Sequence, residues 1–455
     1  MQKWNIALPC IQVATVTSTV LIEVSQLRVG MFVQLDMSWV RHPFPANGFR
    51  LTSLAQIDAL RDLGLASVRY VPAKSVLQSG PIADNRQLSD QIAVDVEPAE
   101  AEVAIAAIPE VSGDGDGAAA ARDRDFLLLA QHRVLAACER RFSAALGAYR
   151  QLAQAVEVDA AYASATSVAL VADCIAQLLP HPEIAIHLLL EGTGERSALH
   201  PVNVMVLCLL LGKVQGMDAA RLQQLGLAAL LHDLGKLNLP IYLAQPAPHW
   251  SQGDRERFEG HVGASVALAE RMQLPSAVLT AIAQHHEMAD GTGFPLHLLG
   301  EDMAVAGKIL ALVNRYDNLC NPPISADALT PHEALSVIFA QFQAHFDPTV
   351  LNSFIRMLGV YPPGSFVQLL DDSYALVVSV NALRPLCPSV IIYQPQVPRQ
   401  QALVLQLENA PAQAIRRSLR PAQMPRDALA YLSPRQRISY FFARVSDTSS
   451  VQEHP

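Results

Sequence analysis

Apolar residues recur with helical spacing through the middle of the chain. From residue 123 to about residue 360 they repeat at i, i+3 and i+4, as in FLLLAQHRVLAACERRFSAALGAYRQLAQAV. Pro and Gly fall mainly at the breaks between such runs. Because this spacing places apolar side chains on one face of a helix, the pattern predicts an all-α helical bundle over residues 123–362.

The residues ahead of this block follow a shorter period. Residues 22–78 hold the strand-like runs LIEV, MFVQL and ASVRYV, and the stretch LTSLAQIDALRDLG among them has helical spacing. This mixture predicts a small α+β domain. Residues 79–122 are acidic and rich in Ala, Pro and Gly. Because such a segment buries too little apolar surface to offset the entropy of ordering, it is predicted to be a flexible linker.

The pattern changes again after residue 362. Four strand-like runs separated by turn residues follow: FVQLL, YALVVSV, SVIIYQ and ALVLQL. They predict a small β-rich C-terminal extension over residues 363–420, and the structure of the tail, residues 421–455, is left open. The predicted fold class is therefore mainly α, with an all-α helical bundle between a small α+β domain and a β-rich extension.

Composition narrows the classes of function. Of the 455 residues, 51% are hydrophobic, so most of the chain is expected to fold, into two to four domains. The formal net charge of −9 argues against a nucleic-acid polymer as partner, because no basic face is evident to neutralise phosphates. The cysteines are scattered without a CxxC pair, which is typical of buried thiols in a reducing compartment.

Neither secretion nor membrane insertion is indicated by the sequence. The N-terminus, MQKWNIALPCIQVATVTSTVL, lacks the compact apolar core and cleavage site of a signal peptide. The longest apolar run, VNVMVLCLLLG, is about half as long as the ~20 residues of a membrane-spanning helix. We therefore expect a soluble cytoplasmic protein without a membrane span.

Potential metal ligands concentrate in the helical block. A lone histidine is more often a surface or satisfied core residue, and we place His249, His297, His332 and His345 in that class. The sequence around six other residues is more specific for a metal site. They are His200, His232, Asp233, His261, His285 and His286.

Two of these ligand pairs close apolar helical patterns. His232 and Asp233 end LQQLGLAALL, and His285 and His286 end AVLTAIAQ, so each pair can project into one cavity. Gly235 relaxes the backbone beyond the first pair. Imidazole and carboxylate ligands together suit Fe, Mn, Zn or Ni rather than Mg or Ca. Two neighbouring metals would suit phosphoryl transfer, since one activates water and both hold the phosphate.

The motifs LLHDLGKLNLP and HHEMADGTGFP resemble those of the HD-GYP family, a branch of the HD phosphohydrolases. The family patterns are HDxGK and HHExxDGxGYP, and Phe294 stands here in place of the tyrosine. The resemblance extends to HPVNVMVLCLLLG, KILALVNRYDNL and FDPTVLNSFIRMLGVYPPGSFVQL. The run QLRVGMFVQLD resembles the small domain that often precedes HD-GYP domains in bacteria.

This resemblance implies an all-α domain that hydrolyses cyclic di-GMP, a bacterial second messenger, to pGpG or GMP. It implies two divalent ions, Fe or Mn, with Asp233 bridging them. Lys236 would act with Asp233 in catalysis by lying over the substrate phosphate, and a solvated lysine is the alternative. The implied metal ligands are His200, His232, Asp233, His261, His285, His286 and Asn314.

A signature loop follows the double histidine, and it is thought to shape the site and to dock diguanylate cyclase (GGDEF-type) domains. An ordinary turn is the competing interpretation, because Asp-Gly and Gly-x-Pro sequences make turns readily. Glu287 is expected to orient a histidine ligand, with a surface glutamate equally compatible. The residues assigned to the substrate and signature loop are Asp290, Gly291, Gly293, Phe294, Pro295 and Arg315.

Three departures from the family pattern bear on activity. Asn314 stands where the family has an aspartate ligand, and its neutral oxygen is a poor bridge between metals. Arg196 occupies the position of the acidic ligand that three-metal members carry, which argues against a third metal. Asn321 stands where the family has an arginine and cannot hold a phosphate by charge, although drift in a loop explains this change equally well.

Three functions are compatible with these residues. The leading hypothesis is a cyclic di-GMP phosphodiesterase. The second is a degenerate HD-GYP protein that binds the nucleotide or a diguanylate cyclase partner without turnover, motivated by Asn314 and Asn321. The third is a phosphohydrolase for a different nucleotide, since HD chemistry is not restricted to cyclic dinucleotides.

Overall fold

The chain separates into two compact units, Met1–Ser112 and Gly113–Pro455. The computed structural model describes the following residues: 19–34, 48–51, 57, 60–61, 65, 67–72, 75, 116–189, 196–243, 250–322, 324, 327–382, 384–385, 387–407, 414–432 and 437–444.

The first unit contains an antiparallel sheet with strand order β1-β4-β2-β3. Buried residues of this unit include Val33 and Val68 on the sheet, and Ile57 and Leu60 in helical backbone. The remainder of the predicted helix and residues 79–115 of the predicted linker lie outside the described residues. The strands are β1 (Val20–Glu23), β2 (Phe32–Gln34), β3 (Gly48–Arg50) and β4 (Ser67–Tyr70).

The second unit is mainly helical, which confirms the predicted fold class. Its described residues form α1 (Asp116–Ala155), α2 (Ala160–Leu178), α3 (Arg196–Val214), α4 (Ala219–Leu231), α5 (Gln252–Arg271), α6 (Ser276–Ala283), α7 (Val305–Cys320), α8 (Pro331–Gln341), α9 (Pro348–Leu358) and α10 (Arg426–Leu432).

Helix α1 begins at Asp116, so ending the linker at residue 122 was wrong. The first residues of the helix are DGAAAARDRD, and alanine has the highest intrinsic helix propensity of any residue. The composition that suggested a flexible segment therefore also permits a helix once the apolar stripe of the following residues is packed.

A seven-stranded antiparallel sheet completes the second unit. The strand path is β10-β6-β7-β5-β11, and β8 pairs with β7 and β9. The four predicted strand-like runs become β6 to β9. The strands are β5 (Ile184–Leu188), β6 (Phe366–Leu369), β7 (Tyr374–Asn381), β8 (Ser389–Ile392), β9 (Val404–Gln406), β10 (Ile415–Leu419) and β11 (Tyr440–Arg444).

Three strands of this sheet were not among the predicted runs: β5, β10, which lies within the predicted extension, and β11. β5 lies within the block expected to be all helical, because a five-residue apolar run cannot be distinguished from a buried helix by its period alone. β11 comes from the tail and pairs with β5, with Phe441 opposite His187 and Phe442 opposite Ile186. The C-terminal residues therefore share a sheet with the helical block instead of forming a separate appendage.

The main hydrophobic core surrounds α3. Residues 204–211 of this helix are buried on all sides, and Tyr440, Phe441 and Phe442 of β11 belong to the same core. Two helical segments, Ala160–Leu178 and Ser197–Val214, are long and apolar enough to cross a membrane by length and composition. In Ser197–Val214, 83% of the apolar window is buried inside the fold, a property shared by core helices of globular proteins.

Candidate metal centre

Asp233 lies at the centre of the predicted ligand cluster. Its Oδ1 lies 3.5 Å from Nε2 of His261 and 3.5 Å from Nε2 of His285. Its Oδ2 lies 3.6 Å from Nε2 of His200 and 3.4 Å from Nε2 of His232. The two oxygens of one carboxylate therefore face two different sets of imidazoles.

The described residues contain two groups whose ligand atoms lie within 4.8 Å of one another, and Asp233 belongs to both. This is the arrangement that a carboxylate bridging two ions requires. One group is His200, His232 and Asp233, and the other is Asp233, His261, His285 and His286.

The first pair of ligands is placed by the end of α4. His232 is the residue that follows the helix, and Asp233 precedes a 3-10 turn at Leu234–Asn238. Gly235 lets this turn approach α5, because a Cβ at residue 235 would lie 2.2 Å from the carbonyl oxygen of His261. The close contact brings His261 beside Asp233.

Backbone carbonyls orient three of the imidazoles. Nδ1 of His232 lies 2.8 Å from the Ala229 oxygen, and Nδ1 of His285 lies 2.6 Å from the Ile282 oxygen. Nδ1 of His261 makes the same contact with the carbonyl of the residue three positions earlier. Donation by Nδ1 leaves Nε2 of each ring as the lone-pair nitrogen directed at Asp233.

His200 is oriented instead by a buried carboxylate. Its Nδ1 lies 2.6 Å from Oδ2 of Asp317, whose other oxygen accepts hydrogen bonds from Asn203 Nδ2 at 2.5 Å and Asn321 Nδ2 at 2.9 Å. Residues at i and i+3 share a helix face. The sequence could therefore have indicated these contacts only through two spacings of three residues, from His200 to Asn203 and from Asn314 to Asp317.

The two asparagines also hold the C-terminal segment. Oδ1 of Asn321 accepts from the Ile438 N–H at 2.8 Å, and its Nδ2 donates to the Ile438 carbonyl at 2.8 Å. Oδ1 of Asn203 accepts from the Tyr440 N–H at 2.8 Å. Residues from the tail therefore back the ligand cluster, and the sequence carried no pattern that indicated this contact.

Burial holds four histidines of the cluster neutral. Burial lowers the pKa of His261 to about 3 and the pKa of His285 to about 4. Burial also lowers the pKa of His200 and of His286. Neutral imidazoles keep the lone pairs that a metal ion needs.

Asp233 is held ionised. Burial alone raises its pKa, but His232 and Lys236 outweigh that effect and keep the pKa of the carboxyl well below its usual range. Lys236 Nζ lies 2.8 Å from Oδ2 of Asp233, and it also lies over the ring of Phe258 at 5.3 Å from the centroid. An ionised carboxylate is the protonation state that divalent metals bind.

Two buried ligand atoms have no hydrogen-bond partner among the described residues. They are Oδ1 of Asp233 and Nε2 of His286. A buried polar atom without a partner is costly unless something else binds it. The residues therefore fit a divalent cation bound by nitrogen and carboxylate oxygen, a donor set suited to Fe, Mn, Zn or Ni.

The loop after the double histidine folds back over it. The ring of Phe294 stacks on His286 with centroids 4.5 Å apart, and the Phe294 N–H donates to the His286 carbonyl at 3.1 Å. Gly293 is required by close packing, since a Cβ there would lie 2.3 Å from Met288 N. Gly291 has a φ of +79°, which favours glycine.

The structure contradicts the expected role of Glu287. Its carboxylate is buried and accepts hydrogen bonds from the N–H groups of Leu296 at 2.6 Å and Leu298 at 2.9 Å, not from a histidine. The turn returns the backbone of residues 296–298 over Glu287, and two backbone donors satisfy both carboxylate oxygens. Glu287 therefore holds the loop in shape.

The outer part of the loop is more exposed. Oδ1 of Asp290 accepts from the N–H of Thr292 at 3.1 Å and from its hydroxyl at 2.6 Å. Oδ2 of Asp290 lies 3.5 Å from Nε2 of His345, a histidine that we had placed among ordinary surface or core residues. Pro295 is exposed at the tip.

Asn314 and Arg315 lie on α7. Asn314 is buried, its Nδ2 lies 3.5 Å from the His285 carbonyl, and its Oδ1 accepts from Asn318 Nδ2 at 2.7 Å. The guanidinium of Arg315 lies over the ring of Phe342, 4.8 Å from its centroid. Arg196 stands at the position that argues against a third metal. Its side chain lies outside the described part of the structure.

Asn321 is not a residue of a drifting loop. It is buried at the end of α7 and makes the Asp317 and Ile438 contacts given above. An arginine there would place a charge in a buried position whose polar groups are already paired. The asparagine therefore serves the attachment of the C-terminal segment.

Two family models match parts of the chain. Residues 170–350 match the family model of the HD domain, and residues 19–164 match a domain of unknown function, DUF3391. The chain is 28% identical over 391 residues to cyclic di-GMP phosphodiesterase PA4108 of Pseudomonas aeruginosa, covering 84% of this chain and 88% of that protein.

More distant relatives share parts of the chain. 3'3'-cGAMP-specific phosphodiesterase 2 of Vibrio cholerae is 24% identical over 163 residues, covering 35% of this chain and 31% of that protein. The solved structure of Bd1817, a HDG"Y"P protein from Bdellovibrio bacteriovorus, aligns with a TM-score of 0.39 and 16% identity over 74% of this chain and 100% of that chain.

A helical domain with histidines and an HD pair gathered at one centre defines the class of HD-domain, metal-dependent phosphohydrolases. The two motifs predicted a resemblance to the HD-GYP family, and the HD-domain match over residues 170–350, together with relatives named cyclic di-GMP phosphodiesterases, confirms this prediction. The HD-domain match and the names of the relatives also confirm the predicted enzyme class, a hydrolase.

Proposed function

We propose that the protein is a phosphodiesterase that hydrolyses cyclic di-GMP at a centre of two divalent ions, Fe or Mn. The observation that supports this most directly is the carboxylate of Asp233, whose oxygens face the two groups of imidazoles separately. The substrate is suggested by the relative that covers most of this chain, which is named a cyclic di-GMP phosphodiesterase.

The residues of the cluster would divide the work. His200 and His232 would hold one ion, His261, His285 and His286 the other, and Asp233 both. Bound divalent ions supply the acidity that activates water and the positive charge that stabilises a phosphate under attack. The protein residues fix where that charge lies, because their rings are already oriented by carbonyls and by Asp317.

Lys236 supplies a further positive charge at the edge of the centre. Its side chain is 21% exposed, so its ammonium can reach both Asp233 and an incoming phosphate. A compact ammonium on a flexible stem can leave the carboxylate when a metal neutralises it and then contact a phosphate oxygen. We assign Lys236 to substrate binding and charge stabilisation.

The signature loop would form the rim of the site. Phe294 covers His286 from that side, and the neighbouring Leu296 and Leu299 are exposed. Exposed apolar side chains on an ordered loop suit contact with a protein, so we include docking of GGDEF-type domains in the proposal. A cytoplasmic location without a membrane span remains part of it.

Binding without turnover is the second candidate, and Asn314 favours it. Among the implied ligands only Asp233 carries a negative charge, and the Asn314 oxygen already accepts a hydrogen bond from Asn318. One carboxylate would neutralise the charge of two divalent ions only in part, so one of the ions would bind weakly. Such a site would bind the nucleotide but hydrolyse it slowly.

One experiment separates the two candidates. The full chain is purified without oxygen, its metal content is measured with Fe or Mn supplied, and cyclic di-GMP and 3'3'-cGAMP are offered separately while pGpG and GMP are quantified. We expect two ions per chain, hydrolysis of cyclic di-GMP, and loss of both in Asp233→Ala. Fewer than one ion per chain with tight nucleotide binding and no product would favour the binding protein. Preferred hydrolysis of 3'3'-cGAMP would contradict the assigned substrate.

A further inference from the structure

A second cavity lies between α1 and the seven-stranded sheet. Its volume is about 670 Å³, and it is lined by α1 and by strands β5, β7, β8 and β9 with their connections. None of the described ligands of the metal centre lines it. The volume falls within the ~300–1,000 Å³ that is typical of small-molecule sites.

The sheet wall of this cavity carries a row of polar side chains. The strand register pairs His187 with Ser379, Ser379 with Ser389, and Ser389 with Gln406. Directly paired residues on neighbouring strands share a face of the sheet, and all four line the cavity. Sheet faces covered by a helix are normally apolar, so a polar row across four strands indicates hydrogen bonding to something in the cavity.

The opposite wall is formed by α1, whose polar residues Gln131, His132 and Glu139 line the cavity together with apolar ones. Val134, Leu135 and Ala136 of α1 line it. The side chain of Gln131 pairs with the backbone of Val404, donating to its carbonyl at 2.9 Å and accepting from its N–H at 3.0 Å. This pair of bonds ties α1 to β9, so the two walls are held at a fixed separation.

Two lining residues have a buried nitrogen without a partner among the described residues. They are Nε2 of His187 and Nη2 of Arg399. Burial lowers the pKa of His187 to about 4, so this ring is a neutral hydrogen-bonding group. Nη1 of Arg399 donates to the Tyr431 carbonyl, and no described carboxylate forms an ion pair with Arg399.

Two carboxylates, Glu139 and Glu183, and a second guanidinium, Arg384, also line the cavity, and neither carboxylate pairs with Arg399 among the described residues. Glu183 accepts a hydrogen bond from Asn381 Nδ2 at 3.3 Å, and Glu139 also has an interaction of its own. A partly buried guanidinium with a free N–H directed at a cavity is the common means of binding a carboxylate or phosphate.

We propose that this cavity binds a small organic acid. The apolar body of the ligand packs on Val134, Leu135 and Ala136, its neutral polar groups bond to the row from His187 to Gln406, and its anionic group pairs with Arg399. The site is separate from the metal centre and is not required by the proposed hydrolysis.

A fluorescent probe of this chemistry tests the proposal. 8-Anilinonaphthalene-1-sulfonate has an aromatic body and one anionic group, and we expect it to bind the full chain saturably at one site. Arg399→Gln should weaken binding by about tenfold or more, because a charge-assisted pair is lost. Arg255→Gln, which removes an exposed arginine on α5, should leave binding unchanged and serves as the control.

Cys387 provides a second measurement inside the same cavity. It lines the cavity, whereas the other described cysteines are buried, so iodoacetamide modification followed by peptide mapping reports on access. The probe should slow modification of Cys387 in the natural protein and not in Arg399→Gln. Ala136→Phe should block both binding and modification by filling the cavity.

Three outcomes would overturn the proposal. They are no saturable binding of the probe, equal affinity of the natural protein and Arg399→Gln, and unchanged modification of Cys387 with the probe bound. Circular dichroism of each variant checks folding. If Ala136→Phe does not fold, Arg399→Gln and the Cys387 measurement still decide the question.

Discussion

At the scale of single residues, the candidate metal centre is distinguished by how few of its side chains carry a charge. Asp233 faces both groups of imidazoles and is the one described carboxylate in them, while Asn314 lies nearby as a buried neutral amide. The Asn318 amide donates to the Asn314 oxygen, an arrangement compatible with an amide and equally with a carboxylate. One oxygen of an aspartate at residue 314 could accept the Asn318 bond, whereas the other would lie where Asn314 Nδ2 faces the His285 carbonyl.

Replacing Asn314 tests whether this position binds metal. We expect Asn314→Asp to tighten the metal affinity by about tenfold or more, since a factor of ten corresponds to about 1.4 kcal/mol and a second anion lowers the charge imbalance. Metal per chain after dialysis against graded chelator measures this. Asn352→Asp, at an exposed position of α9, adds the same charge elsewhere and should change nothing. Equal occupancy in all three proteins would place residue 314 outside the coordination of the metal.

At the scale of elements, the centre is built where helices end and pack closely. The ends of α4 and α6 supply the adjacent ligand pairs, α3 supplies His200, and α5 supplies His261. Gly235 permits the contact between the 3-10 turn and α5, and Ser265 Oγ accepts a hydrogen bond from its N–H at 2.8 Å. The geometry of the site therefore depends on the absence of a side chain at residue 235.

A methyl group at this contact should separate the two halves of the centre. Gly235→Ala would place a Cβ 2.2 Å from the His261 oxygen, so α5 must shift, with an expected loss of about 1–3 kcal/mol in the free energy of unfolding. Metal occupancy should fall with it. Gly263→Ala on the same helix meets nothing within 4 Å and should raise stability by about 0.5–1 kcal/mol. Urea unfolding and metal analysis of both variants give the comparison, and equal behaviour would contradict the role of Gly235.

At the scale of the whole second unit, the C-terminal segment is part of the metal centre's support. β11 pairs with β5, its aromatic residues enter the main core, and the backbone of residues 438–440 is bonded by Asn203 and Asn321. Through Asp317 these bonds reach His200. The orientation of His200, a candidate metal ligand, therefore depends on residues more than 200 positions away in the chain.

Breaking this attachment should weaken the metal centre without touching a ligand. Asn321→Leu leaves the Ile438 N–H and carbonyl without their side-chain partner and removes one donor from Asp317, and we expect about 10–100-fold weaker metal binding. Titration of the metal-free protein with Mn²⁺ measures this, with Asn352→Leu on the surface of α9 as the matched control. Unchanged affinity in a folded Asn321→Leu protein would show that the C-terminal segment does not influence the centre.

Local sequence patterns predicted much of the fold and of the candidate site. The helical period, the four strand-like runs after residue 362 and the two motifs depend on neighbours along the chain, so they predicted the fold class, the family and the six residues that the structure brings together. The role of Glu287 was wrong, because its partners, Leu296 and Leu298, reach it only when the loop turns back.

By itself the sequence determined that ligating side chains stand at the ends of apolar helices, because residue type and helical period are local properties. Only the tertiary structure decided that the imidazoles divide between the two oxygens of Asp233, that β5 and β11 join distant segments, and that a polar row faces a second cavity. The physical reason is that strand pairing and buried hydrogen bonds connect residues far apart in the chain, and no periodicity records such partners.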